Sequence, residues 1–74
     1  MSIYFENVRP GLTRAKVQNR TYEILEDTDG EHWTISENEE GNQLRNERVA
    51  NDGTAEFKIL TWIKEYAKSE GKSL

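Results

Sequence analysis

Cysteine is absent from this chain, and histidine, proline and methionine each occur once. Without cysteine there is no disulfide, no thiolate metal site and no sulfur nucleophile, and the lone His32 assembles no multi-histidine zinc site. No stretch approaches the roughly 20 apolar residues of a membrane helix. The N-terminal MSIYFENVRP also lacks the basic-then-apolar order of a secretion signal. The expectation is a soluble, cytoplasmic protein with no cofactor and no membrane partner. At 74 residues the chain supports one domain, 1–74, with little spare volume for a deep pocket.

Basic residues are missing from one long window. Residues 21–40 carry eight carboxylates and neither Lys nor Arg, whereas residues 1–20 carry Arg9, Arg14, Lys16 and Arg20 against a single acid, Glu6. So much charge raises the question of disorder, but two Trp, three Tyr and two Phe among regular β-branched residues argue for a packed core. Loose ends are expected only at Met1–Ser2 and over residues 71–74.

What is present reads as strands followed by a helix. Up to residue 50 the apolar pattern has period two, in short runs between Gly and Asn/Asp signals. Asp29-Gly30 is the clearest hairpin signal, its residue types suiting a type I′ turn. With that turn Ile24 faces Ile35, Glu26 faces Trp33, and Tyr22, Ile24, Trp33 and Ile35 share one face; a four-residue loop, Asp27 to Gly30, would shift the pairing by two and keep the same faces. Thr13, Ala15 and Val17 alternate with Arg14 and Lys16 in a preceding strand after the Pro10-Gly11 turn, and residues 3–5 begin an edge strand. After Glu40-Gly41, Leu44 and Val49 are the inward residues expected on a short, irregular strand pair. From Thr54, a plausible N-cap, to the Gly71 stop signal the period becomes helical. Ile59, Leu60, Ile63, Tyr66 and Ala67 form one stripe, with Phe57 and Trp62 at its margins as either core closure or exposed anchors. The fold class is α+β: a small antiparallel sheet or partial barrel of three to five short strands, within residues 3–50, with one C-terminal amphipathic helix, about 55–70, packed on it.

The stretch RTYEILEDTDGEHWTISENEEGNQLRNERV, with its Tyr-X-Ile strand, Asp-Gly turn, Trp-X-Ile strand and acidic Gly turn, resembles the SH3-like small β-domains of bacterial and phage proteins. The resemblance covers residues 11–50. The aromatic peptide-binding cluster of eukaryotic SH3 domains is lacking, so peptide recognition does not transfer, and the C-terminal helix lies outside it. The expectation that accompanies it, motivated by the acidic block on so small a chain, is a phage or mobile-element accessory protein or inhibitor.

Several chemistries are argued down. A calcium loop opening at Asp27 needs Gly at its sixth position and Glu at its twelfth, where the chain has His32 and Asn38. Asp27 and His32 face each other across the hairpin as a candidate charge-assisted pair, but Ser36 lies about 13 Å from His32 by strand rise, too far for a nucleophile. The chain is therefore expected not to be an enzyme and to hold no metal. The leading expectation is a protein-interaction module that docks an acidic surface, Asp27, Asp29, Glu31, Glu37, Glu39 and Glu40, on a basic partner such as a nucleic-acid enzyme, since a one-signed patch steers unlike charge. The alternative is nucleic-acid binding through Arg9, Arg14, Lys16 and Arg20. A third reading is an exposed edge strand that pairs with a partner. A monomer or weak homo-oligomer suits all three.

Overall fold

The computed structural model describes residues 3–71; Met1, Ser2 and residues 72–74, expected as loose ends, lie outside them. The alternating segments form five strands, β1 (Phe5–Arg9), β2 (Leu12–Val17), β3 (Arg20–Glu26), β4 (His32–Glu39) and β5 (Asn42–Ala50), and the periodic C-terminal segment forms α1 (Thr54–Ser69). The strands make one antiparallel sheet in the order β1-β2-β3-β4-β5. Each strand pairs with its sequence neighbour, so β1 and β5 are left as the two edges. One helix laid on this sheet completes an α+β fold.

The register follows the apolar alternation. Ile24 pairs with Ile35 and Glu26 with Trp33, which puts Tyr22, Ile24 and Ile35 together in the core, with Trp33 half-buried beside them. A slip of one residue between β3 and β4 would turn one strand's apolar pair to the opposite face from the other's, which keeps the register specified. In β2, Ala15 and Val17 are buried and Lys16 is exposed.

The turns depart from the reading in one respect. The β3–β4 loop is wider than two residues: Gly30 N–H donates to the Asp27 carbonyl (3.1 Å) and Asp27 N–H to the His32 carbonyl (2.9 Å). Gly30 alone has a positive φ there, whereas at the next hairpin both Glu40 (φ 50°) and Gly41 (φ 87°) are left-handed. The type I′ turn is therefore at Glu40-Gly41. Its backbone twist matches the right-handed twist of the strands it joins.

Two further corrections concern β5 and α1. The segment expected as a short, irregular pair of strands is one nine-residue strand whose register shifts opposite Glu37/Asn38. Leu44 is the extra residue of that bulge and is exposed, not inward. The inward positions are Arg45, Glu47 and Val49, opposite Glu37, Ile35 and Trp33. Gly53, not Thr54, is the N-cap of α1, and the Asp52 carboxylate accepts the Thr54 N–H at 3.1 Å. That bond satisfies one of the orphan donors a capping side chain would otherwise take.

α1 packs over β3, β4 and β5. It buries Ala55, Ile59, Trp62, Ile63, Tyr66 and Ala67. Leu60 is only half-buried and Trp62 takes its place in the stripe. Phe57 is 74% exposed and Trp62 4%, so the two marginal aromatics have opposite fates. Ile35, fully enclosed at the centre of the sheet face under α1, should grade this core. Ile35→Val is expected to lower stability by about 0.5–1.5 kcal/mol and Ile35→Ala by about 2–5 kcal/mol, measured by urea titration; equal, small losses for both would show that the site collapses around the cavity.

Candidate functional site

The inward positions at the Glu40-Gly41 end of the sheet bring together charges from four elements. Glu37 continues the inward parity of Trp33 and Ile35 on β4, and its side chain is 3% exposed. Arg20, inward on β3, donates through Nη1 to Glu37 Oε2 at 3.2 Å. Arg45, inward on β5, donates through Nε to Glu37 Oε1 at 3.1 Å, and its Nη1 reaches Glu65 of α1 at 3.2 Å. Both guanidiniums also stack on helix aromatics: Arg20 lies 4.0 Å from the Tyr66 ring centroid and Arg45 4.4 Å from that of Trp62. The Tyr66 hydroxyl donates to Asn19 Oδ1, and Asn19 Nδ2 to Glu39, each at 2.8 Å. Arg20 Nε stands 3.8 Å from Glu39, an ion pair but not a hydrogen bond.

Burial alone would raise the Glu37 carboxyl, but Arg45, the adjacent Tyr22 hydroxyl and Arg20 outweigh it and hold the group below its ordinary value. The buried Tyr22 hydroxyl lies outside hydrogen-bonding geometry; burial first, and the Glu37 carboxylate next, push its phenol well upward. The site is thus an ionised carboxylate between two cations under a helix. It joins the helix to the sheet and offers no open face to a substrate.

This placement corrects one of the six acids expected on a docking surface. Glu37 is interior because it shares the inward parity of Ile35, and its charge is compensated there. The other five lie at the two ends of β4. Asp27, Asp29 and Glu31 belong to the β3–β4 loop, while Glu39 and Glu40 belong to the Glu40-Gly41 hairpin. Eight residues of strand between them span roughly 25 Å, so the acids form two tips and not one patch. Both tips are also partly neutralised. Arg48 donates through Nε to Asp27 (2.8 Å) and through Nη2 to Asp29 (2.6 Å), and Glu39 has Arg20. Glu26, Glu31 and Glu40 make no ion pair among the described residues.

His32 turns to Asp29 instead of Asp27, with Nδ1 2.9 Å from Asp29 Oδ2. The four-residue loop folds Asp29 back so that its Oδ1 accepts the Glu31 and His32 backbone N–H groups, at 2.7 and 3.1 Å. Those bonds hold the Asp29 carboxyl below its ordinary value. Asp27, meanwhile, is taken by Arg48. Asp29, Glu31 and His32 bring ligand atoms within 4.8 Å of one another, but the Arg48 guanidinium already takes the Asp29 Oδ2 charge that a metal ion would use.

The four bases of the alternative are dispersed. Arg20 is inward in the Glu37 network, and Arg14 donates through Nε and Nη2 to Glu23 at 3.0 and 2.9 Å, directly across the β2–β3 pair. Arg9 and Lys16 are exposed.

The feature that sequence reasoning undervalued is the free edge of β5 beside α1. Asn51 N–H donates to the Glu31 carbonyl at 2.9 Å. In an antiparallel ladder that bond fixes which β5 residues bond to β4. Arg45, Glu47 and Val49 turn their backbone groups toward β4, and Asn46 and Arg48 turn theirs to the open edge. Alongside lies a groove of about 400 Å³ lined by Val49, Thr54, Phe57, Lys58, Trp62 and Glu65 among others. Lys58 forms an ion pair with Glu47 beside it. The signal was present in the sequence, since Trp62 at i+3 from Ile59 and i−4 from Tyr66 belongs inside the helical stripe and leaves Phe57 outside it.

Comparison with protein families, with curated proteins and with solved structures finds no match to this chain.

The Glu37 network sets an acid dependence. A carboxyl held below its unfolded value stabilises the fold fully above about pH 4.3 and loses that contribution as pH falls through the folded value. Glu37→Gln, which removes the buried anion between Arg20 and Arg45 and leaves them only Glu39 and Glu65 at the margins, is expected to cost roughly 3 kcal/mol at neutral pH and to flatten the loss of stability below about pH 4.3. Urea titrations of both proteins at a series of pH values measure it; an unchanged acid limb would mean that other carboxyls carry the dependence.

Proposed function

We propose that this protein is a non-enzymatic protein-interaction module that engages a protein chain along the free edge of β5 and the adjoining groove on α1. The observation that carries this reading is the conjunction at one border of the molecule of an edge strand with outward-turned backbone groups and an apolar groove capped by an exposed Phe57. An added strand satisfies the backbone groups, and alternate side chains reach the groove, the division of labour seen in strand-addition complexes. The opposite edge is less suited to this use. β1 has five residues, a register shift between Asn7 and Arg9, and Pro10 at its end, all features that blunt an edge.

Docking of a basic partner on the acidic tips has a narrower basis than the residue pattern suggested. A single surface would have to be built on one tip, and the better populated one, Asp27 to Glu31, already carries Arg48. Nucleic-acid binding by the N-terminal bases has Arg9 and Lys16 as its remaining unpaired cations among the described residues, enough to neutralise only a few phosphates.

A proline at residue 46 tests the reading without disturbing the sheet, because the Asn46 N–H faces away from β4. Tagged wild type and Asn46→Pro are used as baits on nuclease-treated lysate and on the untagged protein. A protein chain held by the wild type and lost with Asn46→Pro is the expected result. Equal capture by the two baits, or binding that disappears with nuclease, would overturn it.

A further inference from the structure

Resting on the reading of β5 as the binding edge, we infer that the chain it binds is a second copy of this protein, paired antiparallel through β5 about a two-fold axis at Asn46. The charge pattern of the strand selects this partner and this register. Two antiparallel copies of a strand related by a two-fold axis pair residues symmetrically about the residue on the axis. Centred on Asn46, the pairing sets Arg45 of each copy opposite Glu47 of the other, two unlike-charge pairs on the helix side of the sheet. Centred on Glu47 or on Arg48, it sets like charges opposite each other on the axis. Asn46 is also a position whose N–H and C=O face outward, so the two axial residues exchange both backbone bonds in the manner of a close ladder pair. The bulge at Leu44 lies just beyond Arg45, so the regular pairing runs over residues 45–47 of each copy, and Arg48 of one copy falls opposite the bulge of the other.

The helices fit the same arrangement. α1 packs over β3, β4 and β5, so its axis runs above β4. In the joined sheet the two β4 strands are three strand spacings apart, about 14 Å, and both helices lie on the same side. Packed helices approach to about 8–10 Å, so the space between them must be filled by large side chains. Phe57, 74% exposed in the single chain, stands at the border of that space with Thr61 and the groove beside Val49. The second copy thus covers the exposed Phe57 of the helix and residues 45–47 of the edge in one contact.

The absence of cysteine from the chain makes the register directly testable. In the inferred pairing the two residues 46 have Cα atoms about 5.5 Å apart, within disulfide reach. The two residues 48 are displaced by four positions along the strands, about 13 Å, which is beyond it. Sedimentation equilibrium of the wild type over a range of concentrations is expected to show a mass rising from one chain toward two, with Asn46→Pro remaining at one and giving the same circular dichroism spectrum. On mild oxidation Asn46→Cys is expected to form a covalent dimer and Arg48→Cys to remain monomeric. Equal cross-linking of the two cysteine variants, or a dimer that persists in Asn46→Pro, overturns the inference. So does a wild type that stays at one chain throughout. If that wild type still holds a protein that Asn46→Pro loses, the edge serves a different partner and the reading of the previous section stands alone.

Discussion

A buried carboxylate between two guanidiniums ties this small domain together. Glu37 sits where an apolar residue would continue the face of Trp33 and Ile35, and its charge is tolerated because Arg20 and Arg45 reach it from the strands on either side. Those cations are themselves covered by the Tyr66 and Trp62 rings of α1. The helix therefore binds the sheet in two ways. Ile59 and Ile63 pack on the apolar centre, while Tyr66 and Trp62 lie over the ionic end. Burying an ion pair seldom adds net stability over an apolar contact of the same size, but breaking one is costly. The arrangement penalises any helix placement that takes Tyr66 and Trp62 off the two guanidiniums and opens the buried pair to water, and so it favours where α1 lies.

That placement has a consequence at the borders. A single sixteen-residue helix anchored over β3, β4 and β5 leaves the β1 border of the sheet to its own side chains and lies close beside the edge of β5. Phe57 and Thr61 then line the groove beside that edge, with Phe57 largely exposed. A domain of this length has too little surface to bury to cover both edges. The short, bulged, proline-ended β1 is protected by its own irregularity, whereas β5 keeps a regular stretch beyond its bulge. The physical asymmetry between the two edges follows from where the Glu37 network holds the helix.

The apolar alternation was legible because it rests on residues with no second use. Tyr22, Ile24, Trp33 and Ile35 leave one register that keeps them together, and the helical stripe from Ile59 to Ala67 identifies the covering element. What was hidden lies where inward positions carry charge. Arg20, Glu37, Arg45 and Glu47 all face the helix side of the sheet, and hydrophobic periodicity assigns no inward face to such residues. Hence β5 read as a broken strand with Leu44 inside. Glu37 was recoverable from parity with Ile35, but its charge argued for the surface. The turn type was misread for a similar reason: Asp-Gly is the stronger dipeptide for a type I′ turn, yet the loop at Asp29 is widened by backbone bonds to the Asp29 side chain, and Glu40 accepts the left-handed conformation next to Gly41.

The acidic window between residues 21 and 40 shows why charge counted along a chain differs from charge placed in a sheet. In a meander each strand lies between two neighbours, so the acids of β3 and β4 face whatever β2 and β5 supply. Arg14 is directly opposite Glu23, Arg20 opposite Glu39, and Arg45 opposite Glu37. Arg48 reaches the loop acids from β5. The three directly opposed pairs join strands adjacent in the fold, and all four cations come from outside the acidic window. Unlike charges directly opposite each other favour one register as apolar pairs do, and a slip of two residues, which would keep every face, would separate them. The faces are set by the apolar alternation; the choice among registers that share those faces is reinforced by the ion pairs. The segregation of acids and bases along the sequence is in this sense a pairing code for the sheet, and of the eight acids in the window only Glu26, Glu31 and Glu40 are left without an ion pair among the described residues, at opposite ends of the molecule.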